Sequence, residues 1–132
     1  MRKPTVKAPP PIEVFELLSV RLNLDKARAL CAVPGRPTAP MSIAAVRHWI
    51  QFIDIDTERA MSDATDTNVP VIVAIVAQQY IPIVGYHRLY KADRQDAETI
   101  EAFILSPEET EECAMMSKRS WYRILRNLSM AQ

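Results

Sequence analysis

The residues that most directly suggest chemistry are a scarce glycine and the basic side chains that follow it. The sequence has two glycines in 132 residues, and one of them, Gly85, lies inside the stretch IPIVGYHRLYKA. A glycine between a strand and a helix permits a positive φ and lets a phosphate approach the backbone. The free N–H groups of a helix start also attract anions. Gly85, His87, Arg88 and Lys91 therefore predict a phosphate-binding turn.

Helical spacing divides the side chains after Gly85 between two faces. At about 100° per residue, Tyr86, Leu89 and Tyr90 fall on one side and the three basic residues fall opposite them. The first face is expected to pack and the second to be exposed, with arginine offering forked donors and lysine a mobile charge. The alternative stays open that the glycine only makes a turn and that the basic face is merely solvated.

Composition bounds the class of protein. Apolar residues make up 48% of the chain and charged residues 24%, which is typical of one globular domain. Sixteen basic residues balance sixteen acidic ones, so the overall charge does not favour nucleic acid or an anionic membrane. Two distant cysteines and an N-terminus without an apolar leader indicate a reduced, cytoplasmic protein. Proline and glutamine interrupt the apolar stretch 69–84, which predicts paired strands and no membrane partner.

The periodicity along the chain predicts a single mixed α/β (α+β) domain over residues 12–132, preceded by a flexible, basic, proline-rich arm over 1–11. The first third is expected to hold an edge strand or short helix in 12–22, a helix over 24–33 with Asp25 as its N-cap, and a loop over 34–40. An amphipathic helix over 42–53, an acidic segment over 54–68 with a short helix near 57–61, and a strand pair in 69–84 with Pro82 at an edge or bulge should follow. The expected elements after Gly85 are a helix, a strand over 99–105, a helix capped by Ser106 with Glu109, and a helix over 117–128.

Taken together, VPVIVAIV, IPIVGYHRLYKA and the following TIEAFIL resemble the ParB/sulfiredoxin superfamily, in the manner of a small stand-alone ParB-like nuclease domain. The resemblance is clearest over residues 40–115 and implies a small mixed sheet flanked by helices. It also implies a site for a nucleoside triphosphate (ATP or CTP) or a phosphodiester. By position, Gly85 gives the tight approach, Tyr86 lies inside the motif, and His87 and Arg88 contact phosphate. Arg59 is a further candidate, because the segment before the first long strand lies near the nucleotide in this family.

Departures from the family pattern limit the chemistry. Tyr86 occupies the place of the catalytic cysteine of sulfiredoxins, and a phenol cannot replace a thiolate nucleophile. Val84 stands where many relatives have aspartate, which weakens the nuclease interpretation. His87 is the candidate general acid. The sequence shows no evident general base, and Asp54, Asp56 and Asp63 are the candidates for that role.

Other residues offer weaker chemistry. The acidic segment 54–68 could hold Mg²⁺ beside substrate phosphates, although a solvated polar loop is the simpler interpretation. The histidines and cysteines lack the close spacing of a metal site. The helix over 117–128 is basic and aromatic. We expect Trp121 and Leu125 to pack on the domain and the charges to stay in water, with nucleic-acid binding as the alternative.

The resemblance implies a bacterial protein in a plasmid or mobile-element context, and together with the turn after Gly85 it predicts a cytoplasmic protein that binds a nucleotide or the phosphates of DNA. Weak nucleotide or phosphodiester hydrolysis would be an extension of that function. If the chain is an enzyme, it is a nucleotide hydrolase or nuclease and not a sulfiredoxin. The alternative is a non-catalytic interaction or regulatory module that keeps the fold without chemistry. The sequence leaves the oligomeric state open.

Overall fold

The computed structural model describes residues 11–130, in which a four-stranded mixed sheet, a two-stranded hairpin and six α-helices form a mixed α/β structure. The strands are β1 (Val14–Leu17), β2 (Val20–Asn23), β3 (Ala39–Ser42), β4 (Val71–Val76), β5 (Gln79–Val84) and β6 (Thr99–Leu105). The helices are α1 (Leu24–Cys31), α2 (Ile43–Val46), α3 (Thr57–Met61), α4 (Tyr86–Arg94), α5 (Pro107–Cys113) and α6 (Lys118–Met130), with a 3-10 helix over Arg47–Phe52. The predicted arm over 1–11 lies, except for Pro11, outside the described residues.

The main sheet has the strand order β3-β6-β4-β5. Strands β4 and β6 pair in parallel, while the β3–β6 and β4–β5 pairs are antiparallel. Strand β4, VIVAIV, is buried on both faces, which explains its continuous run of apolar residues. Strand β5 lies at the edge, and its Pro82 faces Val73 where the register shifts. This confirms the predicted strand pair and the edge or bulge position of the proline.

One hydrophobic core joins the hairpin, the sheet and the helices. Leu22, Ile43, Leu89, Leu105 and Trp121 are among its largest fully buried side chains. Because Trp121 is only 2% exposed, it anchors α6 on the domain. Partly buried apolar side chains of α6 pack against the same core: Ile124, Leu125 and Leu128. The expected packing of the C-terminal helix is therefore confirmed. Within residues 11–130, none of the helices combines the length and the apolar character needed to cross a bilayer.

The N-terminal part of the domain differs from the sequence expectation. Residues 12–22 form the β1–β2 hairpin, because Leu18 and Ser19 both adopt left-handed backbone angles, with φ of 49° and 70°. Two such residues suit a two-residue hairpin turn, although neither is the usual Gly or Asn. The side chain of Asn23, not Asp25, caps α1 by accepting from the Lys26 N–H at 3.0 Å.

Two further elements were placed wrongly. The predicted loop over 34–40 ends early, because β3 begins at Ala39 and pairs with β6 despite Pro40. The predicted helix over 42–53 divides into α2 and the 3-10 helix. Its apolar spacing still buries Ile43 and Val46, so the periodicity identified the packed face but not the helix type.

A capping box fixes the start of α5, as the sequence predicts. The Ser106 side chain accepts from the Glu109 N–H at 3.1 Å, and the Glu109 carboxylate accepts from the Ser106 N–H at 3.0 Å. Arg36 donates to the same carboxylate from both Nη1 and Nη2, and Nη2 also donates to the Ile104 carbonyl at 2.9 Å. The hydrogen bonds and charge of Arg36 lower the pKa of Glu109 from its ordinary 4.5 to about 2. This pair ties the loop before β3 to the β6–α5 junction.

In Glu109→Gln, the side-chain amide oxygen should still accept from the Ser106 N–H, but the negative charge is lost. We expect this variant to lower the unfolding free energy at neutral pH by about 1–2 kcal/mol. Because folding lowers the pKa of Glu109, its stabilisation is complete above 4.5 and disappears as the pH falls to about 2. The difference between wild type and variant in urea-unfolding free energy should shrink over the same interval. Glu108→Gln, at the exposed neighbouring position, is the control. If the difference in unfolding free energy between wild type and Glu109→Gln did not change with pH, the stabilising role of the Arg36–Glu109 pair would be contradicted.

Candidate functional site

Gly85 occupies a left-handed position, with φ of 101°, at the N-cap of α4. A Cβ at this position would lie 2.6 Å from Val71 Cγ1 and 2.9 Å from Arg88 Nη2. Glycine is therefore required both by the backbone angle and by the space available. The close approach predicted at this turn is made by side chains of the protein itself, because the Arg88 guanidinium packs directly over the glycine.

The basic side chains of α4 bond to the polar segment 54–70, and this corrects the expectation of an exposed cationic face. Arg88 Nη1 donates to the carbonyls of Val69 at 3.1 Å and Pro70 at 2.6 Å. Lys91 Nζ donates to the carbonyls of Ser62 and Thr65, both at 2.8 Å. All of these basic side chains are half-buried, because the segment lies across them.

His87 makes the third connection from α4 to this segment. Its Nε2 accepts a hydrogen bond from the Asp56 N–H at 3.2 Å, and Asp56 in turn caps α3 by accepting from the Arg59 N–H at 3.1 Å. A ring nitrogen that accepts is unprotonated, so the remaining proton of neutral His87 lies on Nδ1. The geometry thus leaves Nδ1–H as the donor that His87 can offer to a ligand.

A polar cleft of about 520 Å³ opens at the start of α4. It contains most of the residues that the sequence singled out, Gly85, Tyr86, His87 and Arg88, together with Arg59. Lys91 does not line it, and its ammonium group is bonded to the carbonyls of Ser62 and Thr65. Residues that sequence reasoning did not assign to the site complete the wall: Glu13, Ala64, Thr65, Asp66 and Val69.

Both signs of charge line this cleft. The N–H groups of the first turn of α4 have no intrahelical acceptor, and Gly85 supplies no capping side chain. The exposed Arg59 is in none of the ion pairs found among residues 11–130. Glu13 and Asp66 supply negative charge, but Arg28 binds both oxygens of Glu13 and lowers its pKa. The donors available to an anion are therefore the α4 amides, Arg59 and the second nitrogen of Arg88.

Burial lowers the pKa of the Arg88 guanidinium, and the nearby charge of Arg28 lowers it further. Arginine still stays protonated in the physiological range. A half-buried charge is screened less than an exposed one. Arg88 can therefore act on an anion at the mouth of the cleft while its Nη1 stays bonded to the Val69 and Pro70 carbonyls.

Tyr86 contributes packing more than chemistry. Its ring stacks on Phe15, with centroids 6.3 Å apart and planes only 6° from parallel. Its hydroxyl is buried and finds no hydrogen-bond partner in the described part of the chain. Burial raises the pKa of this phenol well above its ordinary value, so it stays neutral. Its backbone N–H, in the first turn of α4, is the part that suits an anion.

The acidic residues proposed as a base or as metal ligands are not gathered in this cleft. Asp54, Asp56 and Asp63 are not among its lining residues, and Asp56 serves as the cap of α3. No group of three or more His, Cys, Asp or Glu side chains suited to a metal ion occurs within residues 11–130. Asp66 does reach the cleft, and its carboxylate accepts from the Asn68 N–H at 2.9 Å. The D-x-N pattern of this turn is a signal that could have placed it there.

Comparison of the chain with protein-family models, with curated proteins and with solved structures finds no match in any of the three. The resemblance to the ParB/sulfiredoxin superfamily therefore stays a prediction.

Gly85→Ala should cost roughly 3 kcal/mol or more of unfolding free energy, because the strain of a positive φ adds to overpacking against Val71 and Arg88. Gly35→Ala is the matched control. Its φ is 81°, but an added Cβ would meet nothing within 4 Å, so only the strain of about 1 kcal/mol applies. Urea denaturation of the two variants measures the difference. Equal losses would show that the contacts at Gly85 are unimportant.

Lys91→Met should loosen the turn over residues 62–65, because two half-buried carbonyl acceptors lose their donor. We expect amide exchange in this turn to become about 10-fold faster, while exchange in the central strand β4 stays unchanged. Lys118→Met, at an exposed position of α6, should leave the turn as it is. Unchanged exchange in the Lys91 variant would refute the anchoring role.

Proposed function

We propose that this chain binds a phosphate-bearing ligand, a nucleotide or a phosphodiester, in the cleft at the start of α4. One observation carries the proposal. Residues of the first turn of α4, whose N–H groups have no intrahelical acceptor, line the same cleft as Arg59, which has no ion-pair partner among residues 11–130. Helix-start amides and guanidinium groups are both preferred donors to phosphate oxygens.

Each residue then has a definite task. The α4 amides would hold one phosphate group, as a helix N-terminus does elsewhere. Arg59 is exposed and can turn its fork onto a second phosphate. Arg88 would supply Nη2, which makes no hydrogen bond within residues 11–130, and His87 would supply Nδ1–H. A nucleoside triphosphate such as ATP or CTP offers enough charge to use all of these donors, and Mg²⁺ would accompany its phosphates.

Membership of the ParB/sulfiredoxin fold is part of this proposal. Supporting it are the order of β4, β5, Gly85, α4 and β6 and the parallel pairing of β4 with β6. A bacterial, cytoplasmic protein of plasmid or mobile-element origin is the setting that the resemblance implies. Binding is the activity that we propose, because Nε2 of His87 is occupied and Val84 stands in place of the aspartate of many relatives.

The second candidate function is a non-catalytic interaction module, and a specific observation favours it. His87, Arg88 and Lys91 all bond to the backbone of the 54–70 segment. These bonds give the basic motif a structural purpose that needs no ligand. In that case the cleft would be a consequence of how the segment is held, and the protein would act through its outer surfaces.

Calorimetric titration of the four nucleoside triphosphates, with and without Mg²⁺, separates the two candidates. If the cleft binds phosphate, Arg59→Gln should weaken the binding at least about 10-fold, because a charge-assisted hydrogen bond is lost. Arg59 is a cleaner target than Arg88, whose removal would also free the carbonyls of Val69 and Pro70. Arg123→Gln, on the exposed face of α6, is the matched control for charge.

Heat that is lost in the Arg59 variant and kept in the Arg123 variant would support the cleft. The absence of heat with all four nucleotides, or the same affinity in wild type and the Arg59 variant, would leave the interaction module as the better account. Melting temperature measured on each variant checks that a lost signal does not come from unfolding.

A further inference from the structure

Helix α6 carries a concentration of positive charge that the rest of the chain does not share. Its thirteen residues, KRSWYRILRNLSM, include four basic side chains and no acidic one, whereas the chain as a whole has sixteen of each. Lys118 lies in a hollow beside three glutamates of the α5 end of the domain, which offset its charge. The remaining three are Arg119, Arg123 and Arg126, called here the arginine ridge.

The arginine ridge and the apolar stripe of α6 lie on opposite sides of the helix. At about 100° per residue, the three arginines fall within roughly 60° of one another. The apolar side chains centre about 190° away from Arg119: Trp121, Ile124, Leu125 and Leu128. Since Trp121 is buried and the others pack on the core, the ridge must face solvent, and all three arginines are exposed.

The ridge arginines lie outside the ion pairs found in the described part of the chain. Among residues 11–130, the ion pairs within 4.0 Å engage Arg21, Arg28, Arg36 and Arg47, and none engages α6. Three guanidinium groups therefore stand in a row over eight residues, or about 10 Å of helix. Duplex DNA carries one negative charge per about 1.7 Å of its axis, so a ridge of this length faces several phosphates at once.

We propose that the arginine ridge binds the phosphodiester backbone of nucleic acid without reading its sequence. An anionic membrane would supply similar charge, but a membrane-binding amphipathic helix also needs an apolar face to insert. The apolar face of α6 is already occupied by the core, which favours a ligand that is bound through charge alone. This surface is distinct from the cleft at α4, and the inference does not depend on nucleotide binding there.

Fluorescence anisotropy with a labelled duplex of arbitrary sequence tests the ridge, over salt concentrations from about 50 to 200 mM. If each ridge arginine contacts one phosphate, removing all three should lower the magnitude of the slope of log affinity against log salt by about 2–3. The variant that removes them is Arg119→Gln, Arg123→Gln and Arg126→Gln together. Glutamine keeps the helix propensity, and the three positions are exposed. We expect affinity at the lowest salt to fall at least 10-fold.

The matched control lowers the net charge by the same amount elsewhere, through Arg21→Gln, Arg47→Gln and Arg94→Gln. Arg21 and Arg47 are paired with Glu16 and Asp93, and Arg94 stacks on Tyr90, so none of them belongs to the ridge. Equal losses in both triple variants would overturn the proposal, because binding would then follow net charge alone. Arg59→Gln, in the cleft at α4, distinguishes the two surfaces. If it abolishes duplex binding while the ridge variant does not, the cleft holds the nucleic acid and the proposal is overturned.

Vesicles with a high content of anionic lipid are the remaining arm of the test. Binding to these vesicles without binding to the duplex would overturn the proposal. Duplex binding that is lost only in the ridge variant, with circular dichroism unchanged, would support it.

Discussion

The polar segment 54–70 has few apolar side chains with which to pack, so hydrogen bonds from α4 hold it in place. Lys91 and Arg88 together donate to four backbone carbonyls, and His87 accepts an amide proton from the start of α3. Half-buried carbonyls without donors are costly, and a charged donor satisfies them better than a neutral one. The cleft at α4 exists because this segment is held at a fixed distance from the helix.

The same contacts constrain what the cleft can do. A side chain that is already bonded to the protein cannot turn freely onto a ligand, but it also loses little entropy when a ligand arrives. Arg88 illustrates both effects, since Nη1 bonds to two carbonyls and Nη2 rests against Gly85. Arg59 is the opposite case, an exposed guanidinium on the short helix that His87 and Asp56 position. A rigid donor and a mobile donor at one helix start make a site that is partly pre-organised.

Local patterns predicted the elements whose causes are local. The Ser106–Glu109 capping box, Pro82 at an edge, and Gly85 with a positive φ each follow from the chemistry of a few adjacent residues. The turns at Leu18–Ser19 and Ala77–Gln78 adopt left-handed angles without Gly or Asn. There, strand pairing imposes the angles. The sequence therefore predicted the Ala77–Gln78 turn only because apolar runs flank it, and it did not predict the Leu18–Ser19 turn.

The site itself was predictable in composition but not in contacts. Helical spacing correctly grouped His87, Arg88 and Lys91 on one face, yet their partners are backbone carbonyls and an amide, which every residue has. Because backbone groups are common to all residue types, the sequence does not show where these hydrogen-bond partners lie. A half-buried cationic face and a solvated one therefore have the same spacing of basic residues. Glu13 is missed for a similar reason, since only the β1–β2 hairpin and its pairing with Arg28 bring it to the cleft.

Net charge is a poor guide to this molecule because its charges are segregated. At the cleft, Glu13 and Asp66 stand beside Arg59 and Arg88, so the local charge is nearly balanced and any selectivity depends on directed donors. On α6, three exposed arginines make no ion pair within residues 11–130, so binding to this face, as proposed, would depend on field strength alone. Screening at physiological salt limits exposed charges to a range of about 8 Å. Acidic residues beyond this range therefore weaken the field of the ridge little, and a chain of zero net charge can still attract a polyanion at one face.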